Sequence, residues 1–299
     1  MKDFPSCFGE NGVQVADSSS SSSSSSANKS APQNLVTCVY QYDSRTFSGF
    51  ITVTWIKYLM GQGLSIAVES PANECLCKAD MKPWLFSKRK GFKRFVVNSA
   101  TVDIYWDLSS AKFGSSPEPL EGFYLAVAFD QELCLLLGDS QHKAYRKIDS
   151  KPPISTATFV AKREHVFGKR LYNSRAQFHD KGELHDLRIE HDHSKKFDNS
   201  LVMYIDKKKV LQVTHLKWKF RGNQNISVDG ISIEVYWDVH SWLFGTIHDK
   251  AIFLFRTRFP GEKLATLPSP HSCPAILRTK DTESQAYGFS LVLCAWRNE

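Results

Sequence analysis

The chain has 299 residues, a net charge of +7, 42% hydrophobic residues and 23% charged residues. Those proportions exclude a wholly disordered chain, a coiled coil, a collagen-like repeat and a small disulfide scaffold, and the length suggests about two domains. Aromatic residues are abundant, with 20 Phe, 10 Tyr and 7 Trp, which leans toward β structure.

Residues 1–34 read as a disordered tail, because the unbroken serine run 18–26 has no side chain to bury. Met1 to Pro5 leads into polar residues without an apolar run of leader length. The most apolar stretch, residues 123–138, is interrupted by Asp130, Gln131 and Glu132, so no transmembrane segment is expected. Seven cysteines, an odd number, fit reduced thiols, and Cys75-x-Cys77 is spaced too tightly for a zinc pair. The expected location is intracellular: cytoplasmic, nuclear, or at the cytosolic face of a membrane.

From Leu35 onward the dominant period is two. Leu64, Ile66 and Val68 share a face, as do Val102, Ile104 and Trp106, then Leu187 and Ile189, then Leu201, Met203 and Ile205. Such alternation predicts half-buried strands. Turns are expected at Gly61-Gln62-Gly63, Asn98-Ser99, Arg221-Gly222-Asn223 and Asp229-Gly230. Residues 288–296, apolar on both faces, read as an interior strand.

The pattern also recurs. Residues 97–107 align with residues 228–238, a shift of 131 positions, with Val, Tyr, Trp and Asp identical. Upstream, Trp84-Leu85-Phe86 faces Trp218-Lys219-Phe220, and Lys90-Gly91 faces Arg221-Gly222. Downstream, residues 123–127 correspond in kind to residues 251–255. The expected fold is all-β: an antiparallel, jelly-roll-like β-sandwich built from two tandem or interlocked copies of a duplicated β unit. The boundaries are 35–145 for the first unit and 155–299 for the second, with Pro152-Pro153 in the junction.

Several strings resemble a known family. Ile51-Thr52-Val53-Thr54-Trp55, residues 59–64, residues 82–91, residues 105–114, Trp218 to Asn223 and Val235 to Phe244 are similar to the plant family of "domain of unknown function 868". The resemblance covers residues 35 to about 258 and implies a plant protein. It implies no activity, and no catalytic residue follows from it.

Charge is concentrated. Residues 82–94 hold Lys82, Lys88, Arg89, Lys90, Lys93 and Arg94 with no acid, and residues 207–221 hold Lys207, Lys208, Lys209, Lys217, Lys219 and Arg221 with no acid. The two windows carry +12 against +7 for the chain, which leaves the remainder at −5. Clustered cations attract acidic or phosphate-rich partners in a salt-sensitive way. In the second window Leu216, Trp218 and Phe220 share one parity and the cations the other. This predicts a strand with its aromatics inward, either a plain solvated face or an anion-binding one. Inward aromatics disfavour base stacking, so nucleic acid is the less favoured partner. An acidic protein or an anionic membrane surface remains.

Three constellations bear on chemistry. Asp186, Arg188, Glu190 and Asp192 share one face of a strand, and Glu190 with Asp192 resembles the paired acids of a carbohydrate-active jelly roll, but Ser194-Lys195-Lys196 stands where a further acid is needed. His185, His191 and His193 lack an outlying ligand set for a metal. Asp107 and Asp238 each end a strand and are expected to cap the following turn. No catalytic residue, metal or cofactor is assigned. The expected function is a non-catalytic interaction module that binds an anionic partner, with a carbohydrate-binding or carbohydrate-active module and a structural scaffold as alternatives.

Overall fold

Strict alternation sets the first layer. In the computed structural model, which describes residues 34–44, 47–82, 89–97, 100–148, 156–179, 182–192, 199–246, 249–257 and 288–297, four strands form an antiparallel meander: β1 (Asn34–Asp43), β2 (Ser48–Tyr58), β3 (Gly61–Glu69) and β4 (Cys75–Met81). One face of it buries Val36, Cys38, Ile51, Val53, Trp55, Leu64, Ile66 and Val68. The serine run, Trp84 to Phe86, Lys88, Asn98-Ser99, Pro152-Pro153 and His193 lie outside the described residues.

The chain then builds a facing sheet from β5 (Lys90–Val97), β6 (Ala100–Asp107), β9 (Tyr124–Phe129) and β10 (Glu132–Leu137), in the order β10-β9-β6-β5. Between β6 and β9 it makes a two-stranded ribbon, β7 (Lys112–Phe113) and β8 (Pro119–Glu121). Val102, Ile104, Trp106, Leu125, Val127 and Phe129 close the first core against the meander. The helix α1 (Gln141–Lys147) packs Ala144 on the other face of β9, with Tyr124 and Ala126. That is why β9 is apolar at every position: it is covered on both sides.

The second half uses the same two-layer plan. The strands β12 (Leu171–Ala176), β13 (His185–Asp192), β14 (Ser200–Ile205) and β15 (Lys208–Val213) form one meander. It faces β16 (Arg221–Val228), β17 (Ile231–Asp238), β18 (Lys250–Thr257) and β19 (Ser290–Arg297), with the short helix α2 (His240–Phe244) after β17. The long strand β11 (Thr158–Gly168) joins the halves, pairing antiparallel with β1 and parallel with β19. The result is a nine-stranded sheet, β16-β17-β18-β19-β11-β1-β2-β3-β4. Residues 288–296 thus lie in an interior strand, as their two-sided apolarity predicts.

Register places Val36 beside Glu164, Cys38 beside Lys162, and Lys162 and Glu164 beside Leu291 and Leu293. Laterally paired residues point to the same side of a sheet. Both cores therefore sit on one face of the long sheet, with Lys162 and Glu164 in the strip between them.

Two hairpins share one device. Gly91 faces Trp106 and Gly222 faces Trp237, and in each case a Cβ on the glycine would stand 2.3 Å from the indole Cζ2. Here the glycine lets a ring lie flat on the neighbouring backbone. Arg221-Gly222-Asn223 is accordingly the start of β16 and not a turn, a correction whose cause is this close packing. Likewise the β2–β3 turn falls at Leu59-Met60, two residues before the glycines. Asp229-Gly230 is a turn, with φ of 51° and 76°, the left-handed pair that a two-residue hairpin needs.

Gly91→Ala and Gly222→Ala should each lower stability by about 1–3 kcal/mol through overpacking, measured by urea denaturation. Gly114→Ala, whose nearest neighbour is the flexible Leu120 Cδ1 at 3.3 Å, should change it by less than about 0.5 kcal/mol.

Candidate functional site

Between the edge strands β10 and β12, above β1 and β11, runs an open cleft of about 1040 Å³. Its floor carries a buried charge network. Lys162 is 7% exposed. Its Nζ donates to Glu118 Oε2 at 2.7 Å and to the Arg175 carbonyl at 3.2 Å, and lies 3.5 Å from Glu164 Oε2. The Ser174 hydroxyl donates to Glu164, and the Cys38 thiol to Glu118 Oε1 at 3.4 Å.

Burial would push Lys162 down, but Glu118 and Glu164 together hold it above the ordinary lysine range. Burial raises Glu164 against the pull of Lys162 and Ser174. Burial, then Glu118, pushes the Cys38 thiol well up, so it is no ready thiolate nucleophile. With its ammonium satisfied by three acceptors, Lys162 ties the segment before β8 and the edge of β12 to the long sheet. The network braces the cleft.

The basic windows divide into separate groups. Lys90 pairs with Asp107 at 3.0 Å, Arg94 grips Asp103 with two bonds at 2.6 and 2.7 Å, and Arg221 pairs with Asp238 at 2.8 Å. Arg89 and Lys93 are exposed. Lys207 lies in the β14–β15 turn, Lys208 begins β15, and Lys209 donates to Gln212. Lys217 and Lys219 stand beyond the other end of β15, about 17–20 Å away. The first window lies on β5, which abuts β4, whereas β16 is eight strand spacings, about 38 Å, across the long sheet from β4.

The expectation of an amphipathic strand through the second window is corrected. Residues 215–218 form a turn in which the Trp218 and Lys219 amides both donate to the His215 carbonyl, at 2.9 and 3.0 Å, and His215 has φ 54°. A period of two does not apply inside such a turn. Leu216 is wholly buried and anchors it, with its amide on the Asn199 carbonyl. Lys217, Trp218 and Lys219 are thrown outward, and Trp218 is 86% exposed, so the inward placement of aromatics that disfavoured nucleic acid does not hold at this turn. Next along the chain, half-buried Phe220 packs on His240 and Phe244 at 5.0 and 6.0 Å, and Phe244 is itself 54% exposed. The signal for this turn lay in the match of Arg221-Gly222 to Lys90-Gly91, which starts β16 at Arg221.

The remaining constellations are placed as follows. Asp107 Oδ1 accepts the Ser109 amide and Asp238 Oδ1 the His240 amide, each at 3.0 Å, as strand-end caps. Glu190 is on the outer face of β13 in an ion pair with Arg188 at 3.2 Å, and Asp192 is exposed on that face. His191 is buried against Trp242, ring centroids 4.4 Å apart.

His185, also buried, sits between two carboxylates: Nδ1 meets Asp206 at 2.6 Å and Nε2 meets Asp229 at 2.9 Å. Burial lowers its pKa, but Asp206 and then Asp229 outweigh burial and leave it raised. The ring so held joins the β14–β15 turn to the β16–β17 turn.

A family model described as a plant protein of unknown function, DUF868, matches residues 31–297. No curated protein and no solved structure matches the chain.

Lys162→Met should destabilise by about 3 kcal/mol, because buried Glu164 and half-buried Glu118 lose their counter-charge. Adding Glu118→Gln and Glu164→Gln should restore part of that loss in urea denaturation. For His185 the raised folded pKa means that its stabilisation is complete below the unfolded value of about 6.5 and fades as pH rises through the folded value. A pH series of unfolding free energies should show this decline in the wild type and not in His185→Gln; identical slopes would remove the assignment.

Proposed function

The chain belongs to the DUF868 family of plant proteins of unknown function, and from that premise we propose that it is a non-catalytic interaction module which holds an anionic partner at the Lys217-Trp218-Lys219 turn. The observation that carries this reading is the 86% exposure of a tryptophan between two lysines that make no ion pair with any described residue. Elsewhere in the windows, three strand cations, Lys90, Arg94 and Arg221, are paired with the aspartates opposite them. Lys90, Arg94 and Arg221 are largely consumed by the fold, so they add little to an attractive field. Lys217 and Lys219 keep theirs.

A non-catalytic role is supported by the brace in the cleft. The amine there is fully bonded and the thiol is held protonated. Attraction by surface lysines acts over about 8 Å at physiological salt, which suits an acidic protein surface or the phospholipid headgroups of a cytosolic membrane face.

On a heparin column, the double reversal Lys217→Glu/Lys219→Glu should move elution to distinctly lower salt. The reversal Lys207→Glu/Lys208→Glu, at the far end of β15, should move it less. Equal shifts for the two pairs would assign retention to total charge and overturn the placement at the turn.

A further inference from the structure

We infer that the anionic partner is a lipid bilayer surface, and that the turn is an interfacial anchor in which the rings of Trp218 and Phe244 enter the headgroup region while Lys217 and Lys219 face the lipid phosphates. This rests on the reading that the turn holds an anionic partner, and narrows it. Trp is a large apolar body with one polar N–H, a combination that partitions to the membrane–water boundary and is enriched there. Nothing in the fold needs Trp218 where it is: Leu216, two residues earlier, does the anchoring at 0% exposure, and the turn is closed by backbone bonds to His215.

A second exposed ring is linked to the turn through Phe220, two residues after Trp218. Phe244 ends α2 and is 54% exposed, and its contacts with Phe220 and His240 tie it to the segment that carries Trp218. The lysines on either side of the indole have long stems that leave their ammonium groups free to rise to headgroup level. Each contributes about a fivefold gain in affinity for an anionic leaflet.

The size of the patch separates the two kinds of partner. A stable protein partner covers about 800 Å² on each side. Two rings and two lysines on a projecting turn offer much less than that. A bilayer needs no shape complementarity, and insertion of a small wedge with cationic flanks suffices for reversible attachment.

The protein contains a control for mere stickiness. Leu59 and Met60, at the β2–β3 turn, are 96% and 72% exposed. They lie six strand steps from β16 in the long sheet, and a twist of about 20° per step turns them roughly 120° away from the Trp218 face.

The test is co-sedimentation of the full chain with phosphatidylcholine vesicles, with and without phosphatidylserine, together with quenching of tryptophan fluorescence by brominated lipid. The expected result is salt-sensitive binding to the phosphatidylserine vesicles alone, with quenching. Lys217→Glu/Lys219→Glu should weaken binding at least about 25-fold, from two lysines at about fivefold each. Trp218→Ala and Phe244→Ser should each weaken it several-fold, Trp218→Ala should abolish most of the quenching, and Leu59→Ser/Met60→Ser should leave both unchanged. Binding without quenching, or unaffected by Trp218→Ala, overturns the anchor. So does retention on an acidic polypeptide in place of vesicles. In those cases heparin retention that still depends on Lys217 and Lys219 would leave the broader reading standing, whereas its loss of that dependence would remove both.

Discussion

The pairing of β1 with β11 makes one sheet out of a four-stranded and a five-stranded half, and the rest of the molecule is arranged around that seam. Each half brings its own facing sheet and its own core. Because laterally paired residues share a side, both cores must lie on the same face of the long sheet, and a strip between them is left uncovered by either facing layer. Apolar residues in that strip would sit at the bottom of a wet cleft. The chain instead places Lys162 and Glu164 there and brings Glu118 from the ribbon side and Ser174 from β12. A buried ion pair is weak support for stability as such. Its value here is geometric, since one ammonium on β11 reaches both the segment before β8 and β12 and so sets the distance between them. The seam also removes two strand edges that would otherwise be open to pairing with another chain.

At the outer parts of the sheets, a second constraint recurs. In both the β5–β6 and β16–β17 hairpins, a glycine lies under the tryptophan opposite it, a cation at the neighbouring position pairs with the aspartate at the strand's end, and that aspartate caps the next turn. The parts depend on one another. Without the glycine the indole cannot lie on the backbone, and without the aspartate the strand end loses both its ion pair and its cap. The cations that make the windows conspicuous in the sequence are, at Lys90 and Arg221, members of this structural unit.

How much could be read beforehand follows from how local each feature is. Alternation within a strand is local, so Val102, Ile104 and Trp106, or Leu201, Met203 and Ile205, could be assigned to a core from the sequence, and so could the capping aspartates beside their own turns. Register is not local. Nothing within residues 82–94 announces that Lys90 will face Asp107 and Arg94 will face Asp103, so the window read as free charge. The brace was less legible still, since Glu118 and Lys162 are 44 positions apart; its one trace was a lysine and a glutamate at i and i+2 on what is otherwise an apolar face of β11. The turn at residues 215–218 was misread for a different reason. Leu216, Lys217, Trp218, Lys219 and Phe220 alternate perfectly well, but alternation constrains burial only while the backbone stays extended.

Trp218 differs from the buried tryptophans among the described residues in what its surroundings ask of it. Trp106 and Trp237 are held against glycines, Trp55 meets Phe123 edge-on, and Trp242 packs on Tyr172 and His191. Each of these rings is buried and returns free energy to the fold in proportion to the area removed from water. Trp218 returns almost none, because at 86% exposure its apolar area stays hydrated. Folding therefore gives no reason for an indole at this position, where any polar residue would serve the turn as well. On the proposed reading the physical reason is a state in which that area is dehydrated, and the flanking lysines favour a surface that carries negative charge.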